Sequence, residues 1–337
     1  MSKGFTEYEH MENHYNLEKI CDVAKLNPDV SFVCTEKIHG TNYSFLYNGS
    51  DDVIPCKRGS SLGNDRSFMG HGFVYEKYAK DVKVIFEYLK EKYYEDLVQI
   101  QLYGELFGGC YNGKTTKGHK KVQKGVNYHC DNEFMAYDLK IQTADKTFYF
   151  DYNLLDKMFT DLKDVITIKH VPVMVVGKYD EVIKLNPTFE SVVYSHYGLD
   201  KIENNYAEGY VIRPTTEMTM PKHSEGEYED QRMIFKLKNP SFSEVEVESA
   251  PLESKSAKPV KPNYADMLKR YLTDMRYDNV KSKLTDDEQD KLKDMLFNDV
   301  LTDFTIDNTI DEKTLELCKK QLSGLITGFL KKKELTE

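Results

Sequence analysis

Tryptophan is absent from this 337-residue chain, and none of its six cysteines forms a Cys-x-x-Cys pair. They stand scattered at 21, 34, 56, 110, 130 and 318, which argues against a zinc site or a disulfide framework and reads as reduced thiols. Long apolar runs are missing too: the longest, Val171 to Val176, is far too short to cross a bilayer. The opening MSKGFTEYEH has no apolar segment of the signal-peptide kind. The expected location is therefore intracellular and cytoplasmic, with the sequons at Asn42 and Asn48 unused. Neither an internal repeat nor a low-complexity segment is evident. Positive charge is not in excess either, since the net charge is −10, and this counts against diffuse attraction to a polyanion. Phosphate contacts depend on local potential, however. Between Lys114 and Lys124 (KTTKGHKKVQK) five lysines and a histidine occur without a carboxylate, a solvated loop or a phosphate-binding one.

What is present is a soluble globular composition, 40% hydrophobic and 30% charged, with length enough for two domains. From 31 to 240 the pattern is mostly short strands with β-branched and aromatic residues, set off by glycine turns. Val33–Lys37, Tyr43–Tyr47, Val53–Lys57, Gln99–Phe107, Glu133–Ile141, Val171–Val176, Glu208–Arg213 and Arg232–Leu237 read as strands. Phe73 to Tyr94 reads as a helix, with Val74, Tyr78, Val82, Ile85, Phe86 and Leu89 at helical spacing. Irregular alternation of strands and helices predicts an α+β fold with antiparallel sheets. After Glu244 the composition shifts to EVEVESAPLESKSAKPVKPN, a linker in character. From Tyr264 onward a helical pattern returns, with Leu315, Cys318, Leu322, Leu325, Ile326 and Phe329 as an apolar stripe. The expected boundaries are 1–244 for the first domain, 245–262 for the linker and 263–337 for a small helical domain.

One short stretch carries the chemistry. CTEKIHGTNYSF (Cys34–Phe45) puts Lys37 at a strand end, followed by a turn at Gly40. A lysine acting as a nucleophile must lose its proton, so it needs burial or cationic neighbours. Candidates exist in Arg58, within CKRGS, and in Lys236 and Lys238, two apart on one strand and so on one face. A Lys-x-Lys pair also suits a plain surface. Glu105 (YGELFGG) and Glu208 (AEGYVIRP) each place a carboxylate in an apolar strand, which is costly unless paired or bound to metal. Two such glutamates among several cations suggest a metal–phosphate site. Glu36 and Asp138 read as local hydrogen-bonding residues or strand-end caps. His39 could cap the turn, and the other histidines lack metal-ligand spacing.

In order, Lys-Ile-His-Gly-Thr-Asn, Lys-Arg-Gly, Gly-Glu-Leu-Phe-Gly-Gly, Phe-Met-Ala-Tyr-Asp, Glu-Gly-Tyr-Val-Ile-Arg and Phe-Lys-Leu-Lys-Asn resemble the motifs of covalent nucleotidyltransferases. The match is to the RNA ligase 2 family of ATP-dependent RNA ligases, near the RNA-editing branch, and covers about residues 8 to 244. MENHYN (Met11–Asn16) and SFSE (Ser241–Glu244) resemble that family as well. The resemblance implies a nucleotidyltransferase domain of antiparallel sheets with flanking helices, ATP and Mg²⁺ or Mn²⁺ as cofactors, and sealing of RNA 5′-phosphate and 3′-hydroxyl ends, in nicked duplex. It implies that Lys37 becomes adenylylated and that Arg58 contacts the nucleotide and then the RNA phosphate. Glu105 would hold the ribose, Tyr137 would stack on the adenine where the family often has Phe, and Glu208 would be the metal-associated carboxylate. Lys236 and Lys238 would bind phosphates. Glu36, Ile38 and Asn42 would complete the nucleotide pocket, with Asn42 and His39 serving later steps. His39, Lys114, Lys117, Lys120 and Lys121 are candidates for RNA contact. The family's phage branch carries a helical domain where this chain has its helical tail.

Three alternatives share parts of this reading. A DNA ligase or an mRNA capping guanylyltransferase would use the same lysine chemistry, but both append an OB-fold, and the tail lacks its alternating strands. DNA ligases and capping enzymes also typically have Asp where this chain has His39. The third is a catalytically inactive RNA-end-binding protein, whose mark would be a missing lysine or glutamate.

Overall fold

The computed structural model describes residues 4–9, 11–13, 17–63, 65, 67–224, 227–243, 263–308 and 310–334. The expected linker at 245–262 and the end of the MENHYN motif from His14 lie outside them. The chain divides into two units, 1–240 and 241–337.

The first unit begins with β1 (Glu12–Asn13), α1 (Leu17–Leu26), β2 (Phe32–Glu36), β3 (Thr41–Tyr47), β4 (Ile54–Lys57) and β5 (Ser60–Ser61). The long helix α2 (His71–Lys92) leads into two long strands, β6 (Leu97–Cys110) and β7 (His129–Thr143). Then come β8 (Thr147–Tyr149), α3 (Tyr152–Leu162), β9 (Lys169–His170), β10 (Val173–Gly177), α4 (Tyr179–Val182) and α5 (Val193–His196). The unit closes with β11 (Gly209–Pro214), β12 (Thr219–Ser224), β13 (Glu227–Arg232) and β14 (Phe235–Lys238). A seven-stranded sheet runs β5-β4-β3-β6-β7-β8 with β9 beside β7, and a five-stranded sheet runs β1-β14-β11-β2-β10. Pairing is antiparallel except for β1 with β14 and β7 with β9. The α+β class with antiparallel sheets is thus the observed architecture.

Alternation along the strands explains the layering. In β6, Ile100, Leu102 and Leu106 join Val74, Tyr78, Val82, Ile85 and Phe86 of α2 in the largest core. Their neighbours Gln101 and Tyr103 are equally buried yet face the other way. In the five-stranded sheet Phe32, Cys34, Tyr210, Ile212, Phe235 and Leu237 pack on Ile20 and Ala24 of α1 and Val182 of α4. Each sheet therefore covers its outer face with helices. Between the inner faces lies a smaller cluster of Tyr8, Tyr103, Tyr149 and Ile234, with Met11, Tyr137 and Val211 against it.

A β-bulge sets one detail of that inner face. Gly104 pairs with Ala136 but Tyr103 pairs with Asp138, so Tyr137 is the extra residue of β7. Ala136 and Leu139 both stay in the α2 core, which turns Tyr137 and Asp138 inward together. Asp138 then meets Arg232 at 2.8 Å, Arg213 at 3.1 Å and the Tyr8 hydroxyl at 2.8 Å. Both arginines also hold Glu217, each at 2.7 Å. Burial would raise the Asp138 carboxyl, but Arg213 and Arg232 outweigh it and hold the group below the ordinary range. This buried network ties the N-terminal segment, β7, β11 and β13 together. The local hydrogen-bonding role that the sequence pattern suggested for Asp138 is present, the Leu139 N–H donating to its Oδ1 at 2.9 Å, but its other partners are remote, Tyr8 lying 130 residues away along the chain.

In the second unit the described residues form helices α6 (Tyr264–Lys269), α7 (Asp274–Lys281), α8 (Leu292–Asp307) and α9 (Glu312–Glu334), with a 3₁₀ turn before α8. Leu296, Val300 and Phe304 pack against Cys318, Leu322 and Ile326. Arg276 is fully buried between Asp299 and Asp303, at 2.5 and 2.7 Å.

Asp138→Asn keeps the shape of the side chain and leaves two guanidinium groups facing a neutral amide. Removing one partner of a buried network costs about 3 kcal/mol or more. Urea unfolding of the variant is expected to show a loss of that size; a loss within about 0.5 kcal/mol, the usual surface value, would mean the network is dispensable.

Candidate active site

The turn after β2 is where the chain passes from one sheet to the other. β2 belongs to the five-stranded sheet and β3 to the seven-stranded one, so residues 37–40 bridge the cleft between them. Lys37 leaves the end of β2 on the inner face, with its backbone N–H donating to the Gly209 carbonyl at 2.8 Å. Gly40 packs against β6 so closely that a Cβ there would lie 2.3 Å from the Leu106 carbonyl oxygen; no other residue fits without moving backbone. Its N–H donates to Glu105 at 3.0 Å, and its carbonyl accepts from the Gln123 amide at 3.2 Å. The N–H of His39 donates to the Tyr128 hydroxyl at 2.9 Å. The turn is held at each of these polar groups.

The centre of the cleft is Glu208. Its carboxylate lies 2.7 Å from Lys37 Nζ, 3.3 Å from His39 Nδ1 and 3.4 Å from Lys238 Nζ. Gly209 makes this possible: at φ +138° it takes a backbone conformation open to glycine, and a Cβ would sit 2.2 Å from the Leu237 carbonyl. Burial by itself would raise the Glu208 carboxyl, but Lys37, Lys238 and His39 hold it well below the ordinary carboxylate range. Glu105, opposite Asn42 in the sheet, behaves differently. Burial pushes its carboxyl up to about 8, with Lys37 opposing and Glu208 reinforcing the shift.

The structure brings together Lys37, His39, Glu105, Glu208 and Lys238, with Asn42 and Tyr137 beside them. Asn42 Nδ2 donates to the Tyr137 hydroxyl. Lys236 lies on the same strand face as Lys238, opposite Val211. Arg58, in the β4–β5 turn, pairs with Glu7 at 3.1 Å and is close enough to Glu105 to oppose its rise. Ile38 is buried. The sequence suggested cations as the close neighbours of Lys37; its nearest partner is instead the Glu208 carboxylate at 2.7 Å, with Lys238 on the far side of that carboxylate.

Glu36 is not part of the cluster. It shares the parity of Phe32 and Cys34, so its side chain leaves the opposite face from Lys37 and accepts the Val192 N–H at 2.9 Å. Burial pushes this carboxyl up to about 7. The lysines at 114, 117, 120 and 121 are exposed on the loop between β6 and β7. The loop itself is anchored: Lys120 donates its N–H to Asn132 at 2.9 Å, and Val122, Gln123, Val126 and Tyr128 are buried. Gln123 and Tyr128 hold the Lys37 turn, a role the sequence had not signalled. His129, Cys130 and Asp131 bring ligand atoms within 4.8 Å of one another, against the expectation from spacing. They are consecutive, and His129 Nδ1 already accepts the Asp131 N–H at 3.0 Å.

A lysine on the turn joining two sheets, backed by a buried carboxylate and a second lysine, is in keeping with the class that the motifs resemble, the covalent nucleotidyltransferases. Within it, the RNA ligase family model matches residues 30–238, and the chain belongs to the RNA ligase family. A curated relative, the mitochondrial RNA-editing ligase 2 of Trypanosoma brucei brucei, is 23% identical over 326 residues, covering 82% of this chain and 77% of the relative. Among solved structures, an apo variant of a Naegleria gruberi RNA ligase aligns with a TM-score of 0.47 at 17% identity, over 72% of this chain. A variant of the Naegleria RNA ligase with ATP and Mn gives 0.47 at 16%. The aligned region spans only 58% of the first Naegleria chain.

Glu36 and Glu105 are both pushed upward, so the folded chain keeps protons that the unfolded chain gives up near the ordinary carboxylate value. Stability from this source is greatest at low pH and declines as pH rises. For Glu36 the window runs from 4.5 to about 7. Glu36→Gln is expected to remove the Glu36 share of that decline, on the order of 3 kcal/mol, in thermal melts across the window. An unchanged pH profile would show that Glu36 is ionised throughout.

Proposed function

We propose that this chain is an ATP-dependent RNA ligase that joins a 5′-phosphate to a 3′-hydroxyl at nicks in duplex RNA. The observation that carries the reading is the Lys37–Glu208–Lys238 cluster at 2.7 and 3.4 Å on the turn between the sheets. In the first step Lys37 Nζ attacks the α-phosphorus of ATP. A P–N bond forms, the P–O bond to pyrophosphate breaks, and the amine loses a proton. Lys238 and Lys236, on one strand face, meet the charge of the departing phosphates. Glu105 takes the ribose hydroxyls, Tyr137 the adenine ring, and Arg58 the phosphate of nucleotide and then RNA. Next, an oxygen of the RNA 5′-phosphate attacks the lysyl-AMP phosphorus, and Lys37 leaves with a proton regained. Finally the 3′-hydroxyl attacks the 5′-phosphorus and AMP departs. Each step is substitution at phosphorus, in which positioning and charge neutralisation do most of the work.

A hard divalent cation fits this donor set. Glu208 and Glu105 are close enough for each to feel the other's charge, and one or two carboxylates with substrate phosphates are what Mg²⁺ takes. Glu208 would hold it, and when bound it would neutralise charge on the phosphates. ATP and Mn in the Naegleria ligase structures are in keeping with that set. The first unit would carry the nucleotide chemistry and the helical unit would engage duplex. All of the lysines and glutamates expected for activity are present, which disfavours a binding-only relative, and the second unit has no strand among its described residues, unlike an OB-fold.

Incubation with ATP or GTP labelled at the α-phosphate, followed by a denaturing gel, tests the reading. Label is expected on the protein from ATP only, to be lost in Lys37→Ala and reduced at least about 100-fold in Glu208→Gln; purified protein should also seal nicked duplex RNA. Label from GTP alone, or no label together with no nucleotide bound on purification, would contradict it. A second expectation concerns the exposed loop. Replacing Lys117, Lys120 and Lys121 with Ala should weaken RNA binding and flatten its log–log salt dependence by about 0.7–0.9 for each phosphate no longer neutralised. An unchanged slope would take the loop out of the RNA interface.

A further inference from the structure

Tyr137 is held in place more firmly than base stacking alone requires. As the extra residue of the β7 bulge it points into the cleft beside Glu105 and Asn42. Its ring meets Tyr8 edge-on, with centroids 5.1 Å apart and planes at 66°. Its carbonyl accepts from Arg213 Nη1 at 3.4 Å. At the far end of the ring the hydroxyl accepts from Asn42 Nδ2. Ring edge, backbone and hydroxyl are thus each fixed by a different element, while the residue remains half-buried, leaving ring surface open.

A phenylalanine could occupy this site with the same Tyr8 and Arg213 contacts, but it could not hold Asn42. The carboxamide has two ends, and in the structure it turns Nδ2 to the hydroxyl. Its oxygen is then the end left to face a ligand. An aromatic ring and a carboxamide that are already ordered lose less freedom when a ligand arrives, and affinity rises by that saving.

We propose that the Tyr137 hydroxyl is a positioning group, locking the Asn42 carboxamide and the stacking ring into one preformed unit for nucleotide binding. This rests on the adenylyltransferase reading above and adds to it a residue pair that acts jointly. The consequence is thermodynamic coupling: the worth of the hydroxyl depends on Asn42 being present.

A double-mutant cycle reads that coupling. Binding of α,β-methylene ATP, which cannot transfer its adenylyl group, is measured by calorimetry for the wild-type chain, Tyr137→Phe, Asn42→Ala and the double variant. Tyr137→Phe alone should weaken binding roughly three- to ten-fold, the range of one hydrogen bond. In the Asn42→Ala background the same change should weaken it less than about two-fold. Equal factors in both backgrounds would overturn the proposal, as would no effect of Tyr137→Phe in the wild-type chain. Should Asn42→Ala fail to fold, Asn42→Ser replaces it. Absence of binding by the wild-type chain, shown by intact mass to carry no AMP, would instead refute the nucleotide site, and this unit with it, a result distinct from equal factors.

Discussion

Burying one carboxylate between two cations organises this molecule. Glu208 lies almost wholly out of water, and a charge in that position is tolerable only with partners in good geometry. Lys37, Lys238 and His39 supply them from two different elements, the turn after β2 and strand β14. Each partner stabilises the carboxylate, and the carboxylate in turn keeps the lysines from repelling each other. The arrangement suits a site that receives phosphates, because polyanionic substrate can take over the cations while a divalent ion takes over the carboxylate.

The fold serves that cluster by presenting polar inner faces within a well-packed frame. Helices cover the outer faces of both sheets, so the cores carry the hydrophobic burial. The cleft is left to Gln101, Glu105, Asp138, Arg213 and Arg232, all partnered. Asp138 joins segments that are far apart in sequence, and it adjoins Tyr137 across the same bulge. The structural network and the proposed nucleotide pocket thus share a strand. Without the bulge, regular alternation would put Tyr137 and Asp138 on opposite faces and send one of them into the α2 core.

Much of the site could be read from the sequence because its residues interrupt patterns. Lys37 ends an apolar strand ahead of Gly40, and Glu105 and Glu208 break apolar runs. The ordered motifs supplied the rest of the set. Glu36 was expected in the nucleotide pocket and lies on the outer face instead, as strict alternation from Cys34 requires. Other features were out of reach of local pattern. Gln101 and Asp138 look like solvent-facing positions of alternating strands, and only the presence of a second sheet buries them. The inward turn of Glu208 depends on the φ of Gly209, and a glycine in a sequence does not reveal its φ. The hold of Gln123 and Tyr128 on the Lys37 turn depends on how the lysine-rich loop folds back, which no periodicity encodes.

The most direct test of the central claim is peptide mapping by mass spectrometry of the full chain after incubation with ATP and magnesium, under neutral conditions that preserve a phosphoramidate. The account predicts one adenylyl group, on the peptide that contains Lys37 and on that side chain. An adenylyl group on any other residue, or an unmodified chain that still seals RNA, would contradict it.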